Sequence, residues 1–427
     1  MALGFRFDAI RRALGIRNYR IYTSGNIVAH FGMWAYRIGL LSLTWELTES
    51  AFWLGAMAMA DLFPTVILSP LAGALTERLN RMGMMRLTVI FTGLQSSALG
   101  LLCLEGTATI DIVFALALLL GIVQAINHPM RLVIVTNLVT REAVPSALAI
   151  NSLVFNVARV AGPSIAGGII AAAGEEARMV GTAVVFGFCV AGHIVFASAL
   201  FMVRMTSLAI PKKYSALRHV PGEIMEGFRY AAGHPGIGPL LVILFTVGVT
   251  ARGYADLLAG YVDTVFGLGT DAFGIMLSSV GLGAVLGGLW LAQRGHVQGL
   301  TRLFLSYLLV LAIVLILLTA TDYFYLAVLC VFVAGFAQTV AGTGEHQLIQ
   351  ASVDEHMRGR VVSLYGAVSR GTPALGALGM GWLGDEIGLR LPIAGGAVIC
   401  IGLWGWAYSK RHQLAEALET PPGERGV

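Results

Sequence analysis

The sequence predicts an all-α membrane protein with twelve transmembrane helices in two pseudo-symmetric six-helix bundles, from its composition, its apolar windows and an internal repeat. Hydrophobic residues make up 57% of the 427 residues, charged residues only 12%, and the mean hydropathy is +0.78. A soluble globular chain carries about 25% charged residues, so about half of the usual solubilising charge is missing. Because this deficit recurs along the whole length, a single anchor helix does not explain it.

Twelve apolar windows follow one another along the chain, each close to the ~20 residues needed to cross ~30 Å of hydrocarbon. Inside lipid the backbone must satisfy its own hydrogen bonds, so each window is expected to be a helix. We number these windows as spans 1 to 12: 20–45, 52–75, 84–104, 110–138, 147–171, 179–203, 237–262, 272–293, 301–319, 323–350, 361–383 and 391–408.

The longest polar interruption divides the spans into six and six. The predicted organisation is a cytoplasmic N-terminal segment 1–19, a first bundle 20–203, a cytoplasmic linker 204–236, a second bundle 237–408 and a cytoplasmic tail 409–427. Within the linker, Ile224, Phe228 and Tyr230 leave a weak apolar stripe beside charged positions, which suggests a short interfacial helix. The alternative is a plain tether.

Basic residues gather on alternate connections between the spans, which sets the orientation. The connections predicted to be cytoplasmic hold these: Arg11, Arg12, Arg17, Arg78, Arg81, Arg86, Arg141, Lys212, Lys213, Arg218, Arg294, Arg358, Arg360, Lys410 and Arg411. On the opposite side only Arg178 and Arg390 are basic, among many acidic residues. We therefore expect a multi-pass protein of a bacterial-type inner (plasma) membrane, with both termini cytoplasmic.

Two stretches of the chain echo each other. NLVTREAVPSALAINSLVFNVARVAGPSIAGG leaves span 4 and fills span 5, and QASVDEHMRGRVVSLYGAVSRGTPALGALG does the same for spans 10 and 11. Each stretch has an arginine (Arg159, Arg370) three or four residues before a proline (Pro163, Pro373). Parallel repeats of this kind build a central cavity, and rocking of the halves gives alternating access.

Several motifs resemble the major facilitator superfamily. Residues 73–81, Gly-Ala-Leu-Thr-Glu-Arg-Leu-Asn-Arg, are similar to its loop signature G-x-L-x-D-R-x-G-R-R between helices 2 and 3. Span 5 contains GPSIAGG, similar to the G-P-x-x-G-G signature of the proton-coupled antiporters. The stretches FGMWAYRIGLLSLTWELTES, NHPMRLVIVTNLV, ALAINSLVFNVARVAGP and MRGRVVSLYG look like the enterobactin-exporter-like, drug:proton antiporter-3 branch, and the resemblance covers nearly the whole chain.

The resemblance implies secondary transport coupled to protons, with the 73–81 loop acting as a cytoplasmic gate. The gate candidates, which include one arginine near the cytoplasmic end of span 4, are Gly73, Glu77, Arg78, Arg81 and Arg131. The antiporter-like motif corresponds to Gly162, Pro163 and Gly167. Departures from the family pattern are Glu77 for Asp, Asn80 for Gly, Met82 for a basic residue, and Ala166 for the first paired Gly.

Charged residues inside spans are costly, about 2.5–3.5 kcal/mol each by insertion scales, so they normally face a cavity or a partner. Arg37 lies twelve residues before Glu49, and Asp61 lies twelve residues after it. Since both helices leave the same hairpin and rise ~1.5 Å per residue, Arg37 and Asp61 should lie at similar depth. They are candidates for an ion pair, in which either Asp61 accepts a proton or the bridge is permanent and structural.

Further charged positions lie in spans 7 and 10. Arg252 and Asp256 are four residues apart and would share one face of an α-helix, again as a proton site or a structural pair. Glu345, followed by His346 and Gln347, lies towards the cytoplasmic end of span 10 and is expected to line a vestibule or lock a gate. Asp61, Asp256 and Glu345 are the candidates for proton coupling.

The balance of these charges bears on the substrate. The cavity candidates are Trp34 and four arginines, at positions 37, 159, 252 and 370: Arg37, Arg159, Arg252 and Arg370. Four arginines against three acids leave the mid-membrane region slightly cationic, which favours an anionic or phenolic amphiphile. The alternative for Arg159 and Arg370 is donation to backbone carbonyls beside the prolines.

No phosphate loop, nucleophile elbow, zinc motif or paired cysteine cluster occurs in the sequence, so neither ATP hydrolysis nor other enzyme chemistry is predicted. No cofactor or metal is expected. The predicted function is proton-coupled efflux of a small drug-like or siderophore-like amphipathic compound by alternating access. The alternatives are gradient-driven uptake or facilitated diffusion, and a transporter-shaped sensor without flux. Expected partners are a small-molecule substrate, protons and the lipid bilayer; we expect a monomer that binds no nucleic acid.

Overall fold

The computed structural model describes residues 11–78, 80–203, 220–294 and 297–420. Its main helices, in chain order, are α1 (Arg17–Thr48), α2 (Ala51–Arg78), α3 (Arg81–Glu105), α4 (Ile110–Leu138), α5 (Val144–Ala173), α6 (Arg178–Met202), α7 (Val220–Gly233), α8 (Ile237–Val247), α9 (Leu258–Phe266), α10 (Thr270–Ala292), α11 (Leu300–Ala320), α12 (Phe324–Ser352), α13 (Arg358–Ile387), α14 (Arg390–Ser409) and α15 (Arg411–Glu419).

Every predicted span coincides with helical backbone. Spans 1 to 6 correspond to α1–α6, span 7 runs from α8 to α9, and spans 8 to 12 correspond to α10–α14. Within the described part of the chain, ten helical segments are long and apolar enough to cross a membrane. The helices α1 and α13 are not among these ten, because polar residues such as Asn26 and Ser369 lower their mean hydropathy. The predicted all-α membrane architecture is confirmed.

Contacts between Cα atoms divide the chain into two compact units. Unit 1 comprises Met1–Leu47, Pro64–Leu217 and Thr270–Gly274, and unit 2 comprises Thr48–Phe63, Arg218–Gly269 and Ile275–Val427. The first part of α2 therefore groups with unit 2, and the first residues of α10 group with unit 1. The domain bounds drawn from the sequence stay a prediction.

In unit 1, small residues let helices approach closely. A Cβ on Gly32 of α1 would lie 2.9 Å from the Cα of Cys189 in α6, and one on Gly192 would lie 2.8 Å from the carbonyl oxygen of Val28. Close backbone approach at small residues is the usual basis of helix packing in membranes, where lipid removes the hydrophobic drive. Tyr22 and Phe196 fill the adjoining core edge to face, with ring centroids 5.4 Å apart.

In unit 2, two carboxylates cap helices that lie far away in sequence. Asp385 at the end of α13 accepts from Ser50 Oγ (2.6 Å) and from the backbone nitrogens of Ala51 (2.6 Å) and Phe52 (3.2 Å), at the start of α2. Glu419 of α15 accepts from the backbone nitrogens at the start of α11, at 2.6 and 2.8 Å. Both caps satisfy N–H groups that a helix leaves without an internal partner, and a negative charge suits that end of the helix.

The linker contains the helix α7. Tyr230 Oη donates to Asp354 Oδ2 at 3.0 Å, and Glu226 forms an exposed ion pair with Arg360 at 2.9 Å, so α7 is attached to the chain around the start of α13. The preceding part of the predicted linker, residues 204–219, lies outside the described residues.

Candidate functional site

Unit 1 contains a polar cluster around Arg131 of α4. Its Nε donates to Asn127 Oδ1 at 2.7 Å, and its Nη1 lies 2.9 Å from Asn26 Oδ1 and 3.0 Å from His30 Nε2. Asn127 in turn donates to Thr88 Oγ1 at 2.7 Å. A guanidinium can only donate, so His30 Nε2 must accept and the neutral ring carries its hydrogen on Nδ1. The cluster thus ties α1, α3 and α4 together through neutral groups.

A stripe on α1 faces a stripe on α5 beside this cluster. Asn26, His30 and Trp34 recur every four residues and therefore share one face of α1. Asn26 donates to Asn151 Oδ1 of α5 at 3.1 Å. Phe155, one turn further along α5, meets the rings of His30 and Trp34 edge to face, with centroids 5.7 and 5.6 Å away. We call these residues, together with Arg131, the Arg131 surface.

The antiporter-like motif of α5 serves close packing in unit 1. A Cβ on Gly162 would lie 2.5 Å from Trp34 Cβ, so α5 touches α1 there. A Cβ on Gly167 would lie 3.2 Å from the Cα of Gly274, at the start of α10. Pro163 lies inside the helix between these two contacts and has no N–H to donate to the preceding turn. The geometry of the motif places α5 against two neighbours at once.

In unit 2, span 7 is not a continuous α-helix. Between α8 and α9 the backbone forms a π-helical segment, Gly248–Arg252, followed by a 3₁₀ segment, Gly253–Leu257. Neighbouring helices contact this interruption at glycines: a Cβ on Gly376 of α13 would lie 2.3 Å from Val249 O, and one on Gly396 of α14 would lie 1.8 Å from Thr250 O. Single π-turns inside α-helices occur frequently at functional sites.

The π-helical segment ends at Arg252, which pairs with Glu345 of α12. Arg252 Nη2 lies 3.4 Å from Glu345 Oε2, and the side chains are only 8% and 1% exposed. Within the described residues, neither Arg252 Nε nor Glu345 Oε1 has a hydrogen-bond partner. A Cβ on Gly342 would lie 3.2 Å from the guanidinium, so the absence of a side chain there gives Arg252 room. The pair has a single contact rather than the two-bond fork that Arg and a carboxylate can form.

Arg252 and Asp256 do not have the spacing expected from an α-helix. Residues four apart share a face at 3.6 residues per turn, but the chain between these two residues has three residues per turn. Four residues then correspond to a rotation of about 120° away from the starting face. Both side chains are buried, and the ion pair described for Arg252 is the one with Glu345.

The remaining predicted residues are distributed over both units. Arg37 lies on α1 in unit 1 and Asp61 lies on α2 within unit 2, each partly exposed, and their pairing stays a prediction. Arg159 is partly exposed on α5, whereas Arg370 is exposed on α13. Arg81 starts α3 and is partly exposed. The side chains of Gly73, Glu77 and Arg78 lie outside the described part of the chain.

Sequence reasoning missed the neutral members of the Arg131 surface. Only ionisable residues and one aromatic were treated as informative, so Asn26, Asn127 and Asn151 were passed over. The repeat of Asn26, His30 and Trp34 every four residues was the signal that would have identified the α1 stripe.

Comparison with known proteins identifies the family. Residues 13–419 match the family model described as transmembrane secretion effector. The chain is 23% identical to the staphyloferrin A transporter of Staphylococcus aureus (strain NCTC 8325 / PS 47) over 398 residues, 92% of this chain and 97% of that protein. It is 25% identical to the enterobactin exporter EntS of Shigella flexneri, over 78% of this chain and 75% of that one. It is 23% identical to the multidrug efflux pump Tap of Mycolicibacterium fortuitum, over 83% and 86%.

Solved structures show the same fold at low identity. A bacterial homologue of the iron transporter ferroportin gives a TM-score of 0.71 at 14% identity, covering 93% of this chain and 98% of that one. A bacterial homologue of the human lysosomal transporter Spinster gives 0.69 at 15% identity, covering 98% and 99%. The predicted resemblance is confirmed. The chain belongs to the transmembrane secretion effector family of the major facilitator superfamily: it is a multi-pass membrane transporter of a small molecule and not an enzyme.

Proposed function

We propose that this chain is a proton-coupled exporter of a small amphipathic compound, with Glu345 as the group that carries the proton. The observation that supports this most directly is the buried Arg252–Glu345 pair beside the π-helical segment of unit 2. A buried carboxylate with one oxygen near a guanidinium and the other oxygen without a described partner has a position ready to accept a proton.

Two opposing effects act on Glu345. Removal from water favours the neutral acid, and the guanidinium 3.4 Å away favours the carboxylate. Any movement that changes the distance to Arg252 shifts the balance between the two forms. A proton taken up on Oε1 from one side of the membrane and released to the other would link the conformational cycle to the proton gradient. The π-helical segment, on which Arg252 lies, is the element whose rearrangement would change that distance.

The relatives support the direction and the substrate class. Their names include an enterobactin exporter and a multidrug efflux pump, and a staphyloferrin A transporter. We therefore infer export of a siderophore-like or drug-like compound across a bacterial inner membrane. Asp61 and Asp256 remain the alternative proton carriers, and uptake or facilitated diffusion is the alternative mode of transport.

The test uses energised inverted membrane vesicles containing the full chain and a pH-sensitive dye. A panel of siderophores, acidic phenols, macrolides, tetracyclines and lipophilic cations is added in turn, and protein-dependent alkalinisation is recorded. We expect one compound class to give a signal in the wild type, and Glu345→Gln to abolish it. The matched control is Glu355→Gln, which alters an exposed acid just beyond α12. A normal signal from Glu345→Gln would remove Glu345 from the mechanism, and silence of the folded wild type would favour uptake or facilitated diffusion.

Orientation and oligomeric state are part of the same proposal: both termini cytoplasmic, and a monomer. All four native cysteines are buried, so a membrane-impermeant maleimide should report mainly on an introduced cysteine. In intact cells we expect labelling of Glu105→Cys, at the outer end of α3, and none of Arg141→Cys, just before α5. The opposite pattern would invert the orientation. Light scattering of the purified protein in detergent should give the mass of one chain.

A further inference from the structure

We propose that Arg131 binds the negatively charged group of the substrate, and that the substrate is a small aromatic carboxylate or catecholate. This rests on the proposed transport function and adds to it a binding residue and a chemical class. The relevant geometry lies entirely within unit 1, on the Arg131 surface formed by α1, α4 and α5.

The first step concerns charge. The groups bonded to Arg131, namely Asn127, Asn26 and His30, are all neutral acceptors. Among the residues that the structure describes, none brings a carboxylate to Arg131. These acceptors orient the guanidinium but leave its full positive charge uncancelled, whereas a buried charge is normally paired. An anion that approaches this surface would therefore gain an interaction that no residue of the described structure supplies.

The second step concerns access. Arg131 is partly exposed, and its second terminal nitrogen, Nη2, has no hydrogen-bond partner among the described residues. The bonds to Asn127 and Asn26 occupy Nε and Nη1, so the guanidinium is held in place while Nη2 stays available. A carboxylate or phenolate oxygen needs one such fixed donor to form a charge-assisted hydrogen bond.

The third step concerns the aromatic part of the ligand. Phe155 is 38% exposed, and its ring lies between those of His30 and Trp34. Aromatic rings pack edge to face or with an offset at centroid distances of about 4.5–7 Å, so an exposed ring edge offers a place for one more ring. The side chains of Asn151 and Asn156 on α5 are partly exposed and can bond hydroxyl groups. An anion attached to a hydroxylated ring matches this combination.

The experiment measures binding without any gradient. The full chain in nanodiscs is dialysed to equilibrium against radiolabelled salicylate or its neutral amide, salicylamide. We expect the wild type to prefer salicylate at least tenfold, and Arg131→Gln to lose at least tenfold in salicylate affinity while salicylamide binding is unchanged. Arg131→Lys should keep part of the preference, because it keeps the charge. The control is Arg141→Gln, which changes an exposed arginine three residues before α5 and should bind both probes as the wild type does.

A second variant keeps the proposal testable if Arg131→Gln does not fold. Asn26→Asp retains Arg131 but places a carboxylate 2.9 Å from Nη1, so the preference for salicylate should disappear. Two results would overturn the proposal: no preference in the wild type, or an undiminished preference in both Arg131→Gln and Asn26→Asp. Glu345→Gln should bind salicylate normally. If export fails in vesicles while the salicylate preference persists and depends on Arg131, the proposed function is wrong and the anion site stands.

Discussion

The two compact units hold a buried or half-buried arginine in different ways. In unit 1, Arg131 is bonded by two asparagines and a histidine and retains its net charge. In unit 2, Arg252 lies beside Glu345, and the two charges cancel. The first arrangement suits a site that receives an anion from outside, and the second suits an acid that gains and loses a proton. The duplicated fold thus offers two separate chemical tasks for the same residue type.

The energetic consequences also differ. Removing one partner of a buried ion pair leaves an uncompensated charge, which costs about 3–5 kcal/mol. Removing a cation from a neutral network leaves acceptors such as Asn127 Oδ1 unsatisfied, at about 1–3 kcal/mol for the group. The comparison can therefore be tested through stability as well as through transport.

The largest expected effect is that of Arg252→Met. It leaves Glu345 buried with no described positive partner and should lower the free energy of unfolding by about 3–5 kcal/mol. Arg131→Met should lower it by about 1–3 kcal/mol. Thermal melting in detergent with a thiol-independent dye measures both, and the double variant Arg252→Met/Glu345→Met should recover most of the loss. Equal destabilisation by the two single variants would contradict the distinction between the two arginines.

The next effect concerns the π-helical segment that carries Arg252. A Cβ on Gly248 would lie 1.8 Å from Thr372 Oγ1, so Gly248→Ala should force the segment away from α13 and cost about 1–3 kcal/mol. Export should fall with stability, because the segment positions Arg252. The matched control is Gly288→Ala, whose Cβ would meet Thr339 Cγ2 at an ordinary 3.7 Å. Similar melting temperatures for the two variants would mean that the close contact does not constrain the segment.

A smaller effect is expected from Asn127→Ala in unit 1. The variant removes the acceptor of Arg131 Nε and the donor to Thr88, and should cost about 1–2 kcal/mol. Because the guanidinium keeps two other acceptors, its charge stays in place and salicylate binding should weaken only a few-fold. Loss of binding as large as in Arg131→Gln would show that orientation, rather than charge, decides affinity. Equilibrium dialysis and melting are measured on the same samples.

The smallest effect provides a solvent-exposed reference for these values. Asp385→Ala removes the carboxylate that accepts three hydrogen bonds at the start of α2, and should cost about 1 kcal/mol because the site is exposed. Glu386→Ala, the adjacent exposed acid, is the control and should melt as the wild type does. A loss as large as that of Arg252→Met would mean that burial does not set the scale.

The fold could be predicted from the sequence because lipid imposes a length and an apolar composition on every span. Span 4 was placed at 110–138 and the helix α4 runs from Ile110 to Leu138. The π-helical segment was not predictable in this way, since widening one turn leaves the apolar composition unchanged. Nor did the sequence indicate that Arg252 pairs with Glu345, because the two residues lie 93 positions apart on different helices. The neutral partners of Arg131 escaped notice because an amide carries no charge for a search of this kind.

The cap on α2 has a consequence for how the chain is made. Asp385 follows Ser50 by 335 residues, so the first turn of α2 is synthesised long before its carboxylate exists. At ~5–20 residues per second, the delay is roughly 20–60 s. During that interval the N–H groups of Ala51 and Phe52 depend on water, lipid headgroups or the insertion machinery. The start of the second helix is therefore completed among the last steps of biogenesis, and a chain truncated before α13 would leave it uncapped.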